Sequence, residues 1–206
     1  VLSVLLITSI VYADSFKVVS LGNDLTQEQK QSMLDHFGVQ GEDEAQVIVV
    51  TNEEERQYLE GIAPISKIGN RAISCAYVEP SGEGSGLDVS TSNLTWATKE
   101  MIASAMTTAG IKDATVVAAA PFPVSGTAAL TGIMKAFEQA TGKKLNIDAK
   151  DAANREMITT GELGEEFGQD NAIQFMNEIK KEVVQNKAKT PDDIRAIIEK
   201  IAKHYD

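Results

Sequence analysis

The sequence predicts an α/β protein: two βαβα-like units sharing a mostly parallel sheet, followed by a helical C-terminal extension. Three observations carry that reading. Short alternating, β-branched runs are separated by stretches of helical periodicity. The order strand, helix, strand, helix occurs twice, and beyond about Asp148 the strand-like runs stop. Such units pair their strands in parallel through right-handed crossovers that lay helices on the sheet.

In chain order, strands are expected near Phe16–Ser20, Gln46–Thr51, Arg71–Glu79, Leu87–Thr91 and Ala114–Ala120. Thr26 and Gln29 have capping-box spacing and open a helix that Gly38 closes. Asn52 precedes three glutamates, the charge sign a helix start prefers, and Gly61 ends that segment. A third helix is expected from Asn93–Thr95 to Gly110, with Trp96, Met101, Ile102, Ala105, Met106 and Ala109 on its apolar face. A fourth opens at Gly126–Thr127 and ends at Gly142. In the extension, Ile173, Met176, Ile179 and Val183 form one stripe. Thr190-Pro191-Asp192-Asp193 is a helix start, with a Thr cap, Pro in the first position and two acids in the first turn. Thr160–Gly168, rich in glycine, reads as the flexible connection, and Glu79–Gly86 as a long hairpin tip.

The domain organisation follows. Residues 1–13 read as the remnant of a signal peptide, 14–147 as the α/β core and 148–206 as the extension. Within the core, 16–62 and 87–133 resemble two copies of one unit. VVSLGNDLTQEQKQSM at Val18 aligns with DVSTSNLTWATKEM at Asp88, each passing from Val-Ser through a polar turn to Leu-Thr.

The opening run VLSVLLITSIVYA is apolar and uncharged, and Val11 and Ala13 hold the −3 and −1 positions of a cleavage site. The positive segment that precedes such a run is expected upstream of Val1. Export to the cell envelope or the extracellular medium is therefore expected. No run after residue 13 has the roughly 20 apolar residues that a bilayer span requires. Against 19 Lys and Arg stand 30 Asp and Glu, a net charge of −11, and residues 21–60 hold ten of the acids against Lys30 and Arg56. That field repels nucleic acid and anionic lipid, so neither is expected as a partner. A single cysteine, Cys75, precludes an internal disulfide, and two histidines are too few for the usual zinc donor sets. No metal or cofactor motif is found.

If the strands are parallel, their carboxyl ends share one edge, where ligands of open α/β sheets bind. Asn23, Asn52, Asn93, Thr95, Ser125, Gly126 and Thr127 fall on the loops at that edge and form the candidate ligand site. The strongest of these loops is APFPVSGTAALTGI, residues 120–133, where a strand opens into a helix whose free amides favour an anion. Its spacing fits neither a dinucleotide fingerprint, nor a P-loop, nor a nucleophile elbow. Ordinary helix capping explains the same residues, because strand-to-helix loops commonly end in Ser, Thr, Asn or Asp.

The run SNLTWATKEMIASAMTTAGIKDATVVAAAPFPVSGTAALTGIMKAFE, with GIAPISKIGNRAISCAYVEP before it, resembles the YpuA-like secreted family of Firmicutes, a domain of unknown function. The resemblance implies export by a Gram-positive bacterium and carries no activity and no catalytic residue. The expected function is a secreted or envelope-associated, non-enzymatic module. It would bind a cell-wall or small anionic ligand, or a protein partner. The alternative is an extracellular hydrolase of envelope glycan, peptide or ester substrates, using Ser125 or a pair of acids among Glu79, Glu83 and Asp88.

Overall fold

The computed structural model describes residues 16–41 and 43–205, so the leader-like run lies outside the described residues. Five strands form one sheet in the order β2-β1-β3-β5-β4: β1 (Val18–Gly22), β2 (Gln46–Val50), β3 (Cys75–Pro80), β4 (Leu87–Leu94) and β5 (Ala114–Val124). β1 pairs with β2, and β4 with β5, in parallel, while β3 runs antiparallel to both β1 and β5. The sheet is therefore mixed, which corrects the expected mostly parallel sheet. The strand read from Arg71 starts only at Cys75 and turns back down the middle. Its reversal still leaves β1, β2, β4 and β5 pointing one way, so their carboxyl ends do share an edge.

α1 (Gln27–His36) opens with a complete capping box, in which the Thr26 hydroxyl accepts from the Gln29 amide and the Gln29 side chain accepts from the Thr26 amide. α2 (Asn52–Leu59) is capped by Thr51 with Glu54, one residue earlier than the sequence suggests, and Asn52 is its first residue. α3 (Ile65–Ile68) is a single turn. β4 continues through a bulge to Leu94, so α4 (Lys99–Thr108) starts later than expected, behind Thr98. Trp96 then belongs to the turn before the helix. α5 (Thr127–Thr141) lies over the middle of the sheet with Leu130 and Ile133 fully buried. Such burial stabilises by roughly 1.5–3 kcal/mol per side chain. Gly132 lets α5 approach β1: a Cβ there would stand 2.4 Å from the Ser20 hydroxyl oxygen.

Alternation along the strands separates two cores. One face of the sheet, carrying Val18, Ala76, Val78, Val116 and Ala118, is covered by α5, flanked by α4. On the other, Val19, Leu21, Cys75, Tyr77 and Ala119 meet Met33 of α1. Both crossovers step the same way across the sheet, yet α1 and α4 lie on opposite faces. They have opposite hands, and only one is the right-handed form expected of both. The stretch Glu79–Gly86 is no hairpin tip either, because β5 lies between β3 and β4. It wraps the start of β5, with the Asp113 carboxylate accepting from the Gly86 amide.

Beyond the sheet come α6 (Ile147–Phe167), α7 (Gln169–Gln185) and α8 (Pro191–Ala202). The expected flexible connection at Thr160–Gly168 is instead the last turns of α6. Gly161 and Gly164 sit on its buried face, where Trp96 comes too close to Gly161 to admit a side chain and Gln169 packs tightly against Gly164. The Glu156 carboxylate of α6 joins three helices, accepting from Ser104 and Thr108 of α4 and, at 2.8 Å, from Lys180 of α7. Thr190 and Asp193 complete a capping box on α8. Among the described residues, no helix is long and apolar enough to cross a membrane.

Candidate functional site

The shared edge divides into three parts. Thr95 and Asn93 brace the extension of β5, with the Asn93 amide nitrogen donating to the Ala120 carbonyl at 2.8 Å and the Thr95 hydroxyl to that of Val124 at 3.0 Å. Asn93 holds this position at φ +58°, in the left-handed region that Asn tolerates better than most residues. Asn23 is exposed; its backbone amide donates to Val50, which ties the ends of β1 and β2. Asn52, Ser125, Gly126 and Thr127 form the third part, and they converge on a residue that the sequence reading passed over.

That residue is Glu55. α2 carries three consecutive glutamates, but only Glu55 turns inward, four residues before buried Leu59 and on the same face, and it is 1% exposed. The spacing to Leu59 is the clue in the sequence; an acidic triplet at a helix start hid it. Glu55 Oε1 accepts from the Thr127 hydroxyl at 2.7 Å and Oε2 from Asn52 Nδ2 at 3.3 Å. Arg56 is turned away, with Nε donating to Asn52 Oδ1 at 2.9 Å and Nη2 to the Gly69 carbonyl at 2.6 Å. Burial therefore dominates, and it pushes the Glu55 carboxyl up to about 7 against the opposing pull of Thr127, Asn52 and the Arg56 charge.

The N-terminus of α5 is built unusually. Its cap is Gly126, at φ +91°, and no side chain caps it. A Cβ at Gly126 would press on Leu94 and Ala97 at 3.1–3.2 Å. Ser125 and Thr127 are thus released from capping. Their hydroxyl oxygens both lie within bonding distance of the Lys67 carbonyl, at 3.0 and 3.1 Å, and 3.4 Å from each other.

Lys67 belongs to a strap, residues 64–72, that crosses the edge where an open sheet would leave a crevice. Gly22 makes the crossing possible, since a Cβ there would stand 2.3 Å from the Ala72 carbonyl oxygen. Asp24 fastens it: its carboxylate accepts from the Ala72 amide at 2.8 Å and its carbonyl from Arg71 at 3.1 Å. Lys67 extends over the Trp96 ring, 5.5 Å from its centroid, to pair with Glu165 of α6. Beneath the strap remains a cavity of about 50 Å³, lined by Glu55, Arg71, Ser74, Ser125 and Thr127 among others. Liquid water occupies about 30 Å³ per molecule, so the space suits one small polar group.

The hydrolase alternative finds fewer parts. The Ser125 hydroxyl meets a carbonyl rather than a base, and Thr127 stands between it and Glu55. Glu79 and Asp88 flank Thr115 on one face of the sheet, but the Glu79 carboxylate already accepts from the Tyr77 hydroxyl at 2.6 Å. Glu83 is exposed in the neighbouring loop. Cys75 is fully buried, and burial lifts its thiol to about 11.

Comparison with known proteins supplies the family. The chain is 44% identical over 183 residues to the "Uncharacterized protein YpuA" of Bacillus subtilis (strain 168), an alignment covering 89% of this chain and 61% of that protein. This chain thus spans about three fifths of the relative's length. No solved structure gives a significant match. A family model described as "Protein of unknown function (DUF1002)" matches residues 21–206, and the chain belongs to that family.

Proposed function

We propose that this chain is an exported, non-enzymatic binding module whose ligand site is the polar pocket at the strand ends, beneath the strap. The observation that carries the reading is the cavity itself, where a buried carboxyl, the Ser125 and Thr127 hydroxyls and Arg71 converge at the end of co-directional strands. Glu55 adds to it, since a perturbed acid in a cleft is a mark of functional sites. The residues at work are Asn52, Ser125, Gly126 and Thr127 of the sequence-derived set, with Glu55 added. Asn93 and Thr95 hold the β5 extension that positions Ser125, and Asn23 contributes through its backbone. The apolar run 1–13 supports placement in the envelope or outside the cell.

The test is a thermal-shift panel of muropeptides, wall polymers, phospho-sugars, peptides and calcium on residues 14–206. A ligand that binds the folded state raises its apparent stability by mass action. A saturable shift that disappears in Ser125→Ala and Glu55→Gln supports the pocket. A shift that both variants retain moves the site elsewhere, and turnover of any panel member by the wild type restores the hydrolase.

A further inference from the structure

The pocket and its strap share a single mobile proton. The Thr127 hydroxyl has one hydrogen and two close acceptors, Glu55 Oε1 at 2.7 Å and the Lys67 carbonyl at 3.1 Å, with the Ser125 hydroxyl farther off at 3.4 Å. It satisfies one at a time. An ionised Glu55 takes that hydrogen, because a charged acceptor makes the stronger bond. The Lys67 carbonyl then keeps only Ser125. A protonated Glu55 reverses the chain: its own hydroxyl donates to Thr127 Oγ1, Oε2 still accepts from Asn52, and the Thr127 hydrogen turns to Lys67.

We propose that the strap over residues 64–72 is a proton-latched lid, held on the Lys67 carbonyl by both Ser125 and Thr127 when Glu55 is protonated and by Ser125 alone when it is ionised. The inference rests on the binding reading above and assigns that site its regulation. Ionisation also leaves a charge buried without a cation bonded to it, which opening relieves by admitting water or a ligand. The charged groups around Glu55 are Arg56 on its own helix and Lys67 and Arg71 on the strap. Arg56 is held by Asn52 and Gly69, Arg71 reaches the Asp24 carbonyl, and Lys67 pairs with Glu165. Asp24 and Glu165 therefore fasten the outside of the strap.

The direction follows from linkage. The closed pocket raises the acid from 4.5 to about 7, so the latch is complete below about pH 4.5. It weakens as pH climbs to about 7, and changes no further above that. Hydrogen exchange of the Asp24 amide, which donates to the Ala72 carbonyl and so joins the strap to the end of β1, reads this without any ligand. After correction for intrinsic base catalysis, wild-type opening should rise by up to about tenfold per pH unit between pH 5 and 7. In Glu55→Gln, whose amide donates to Thr127 permanently, that rise should vanish. In Thr127→Val, where Ser125 alone holds the Lys67 carbonyl, the strap should open more often than wild type at pH 5. A wild-type strap that is flat with pH overturns the latch, as does a rise retained in Glu55→Gln or a Thr127→Val strap as closed as wild type at pH 5. A failed latch leaves the ligand panel untouched, and an empty panel leaves the exchange result standing.

Discussion

Gly161 lies against the indole of Trp96 so closely that a Cβ on the glycine would stand 2.1 Å from Cζ2. That contact docks the C-terminal helices onto the sheet domain. Gly161→Ala gains about 1 kcal/mol of helix propensity but must displace a large buried ring, and overpacking costs typically 1–3 kcal/mol. Net destabilisation is expected in urea unfolding, together with a changed Trp96 fluorescence. A variant as stable as wild type with an unaltered spectrum would show that α6 docks differently.

Glu55 makes a pH-dependent contribution to global stability. Its raised value favours the folded state fully below pH 4.5, and this is lost as pH rises to about 7. Relative to wild type, Glu55→Gln should therefore gain stability over that window, by at most about 3 kcal/mol. Glu54 and Glu138 act oppositely. Burial pushes each up, but bonds from Lys135 and the Thr51 amide to Glu54, and from the Leu145 amide and Lys150 to Glu138, outweigh it. They favour folding above their unfolded value and lose that effect as pH falls below it. Urea midpoints of both proteins at pH 5 and 7.5 supply the comparison; a constant gap between them counts against the buried carboxyl.

β2 is an edge strand with Val47 and Val49 exposed at 43% and 39%. Lys135 of α5 covers that edge, donating to the Val49 carbonyl at 2.8 Å while it pairs with Glu54. A lysine over a free edge is a recognised guard against strand addition. Lys135→Ala should raise concentration-dependent self-association in sedimentation equilibrium, with little change in fold by circular dichroism. A variant that stays monomeric at millimolar concentration refutes the guarding role.

Cys75 should resist alkylation in the native protein, since its thiol is enclosed and its thiolate disfavoured by burial. Labelling by iodoacetamide at pH 8 should follow unfolding rather than reagent concentration. Rapid labelling under native conditions would refute the enclosed thiol.

The elements were legible where local chemistry decides them. The capping boxes at Thr26 and Thr190 and the glycines closing α1 and α5 named their helices directly. The reversal of β3 was not legible, because alternation reports a strand and not its direction, and residues 71–74 look like strand while serving as the end of the strap. Gly161 and Gly164 suggested flexibility, whereas their role is to admit Trp96 and Gln169. At the site, the polar residues at the strand ends were visible as a set. Their division into pocket and brace depends on partners such as Lys67, 58 residues from Ser125, which no local spacing reveals.

The central antiparallel strand also governs how the chain can be divided. β3 stands between the two parallel pairs and is joined to β5 by a six-residue ladder. It therefore belongs to the first half by sequence and stitches in the second by hydrogen bonds. Cutting the exposed glycine-bearing loop between Gly82 and Gly86 severs no ladder, so the two pieces should remain together after cleavage. Neither piece alone keeps a covered sheet. Separation would strand β3 with one face and one edge bare, which makes the two βαβ units mutually dependent halves rather than independently folding modules.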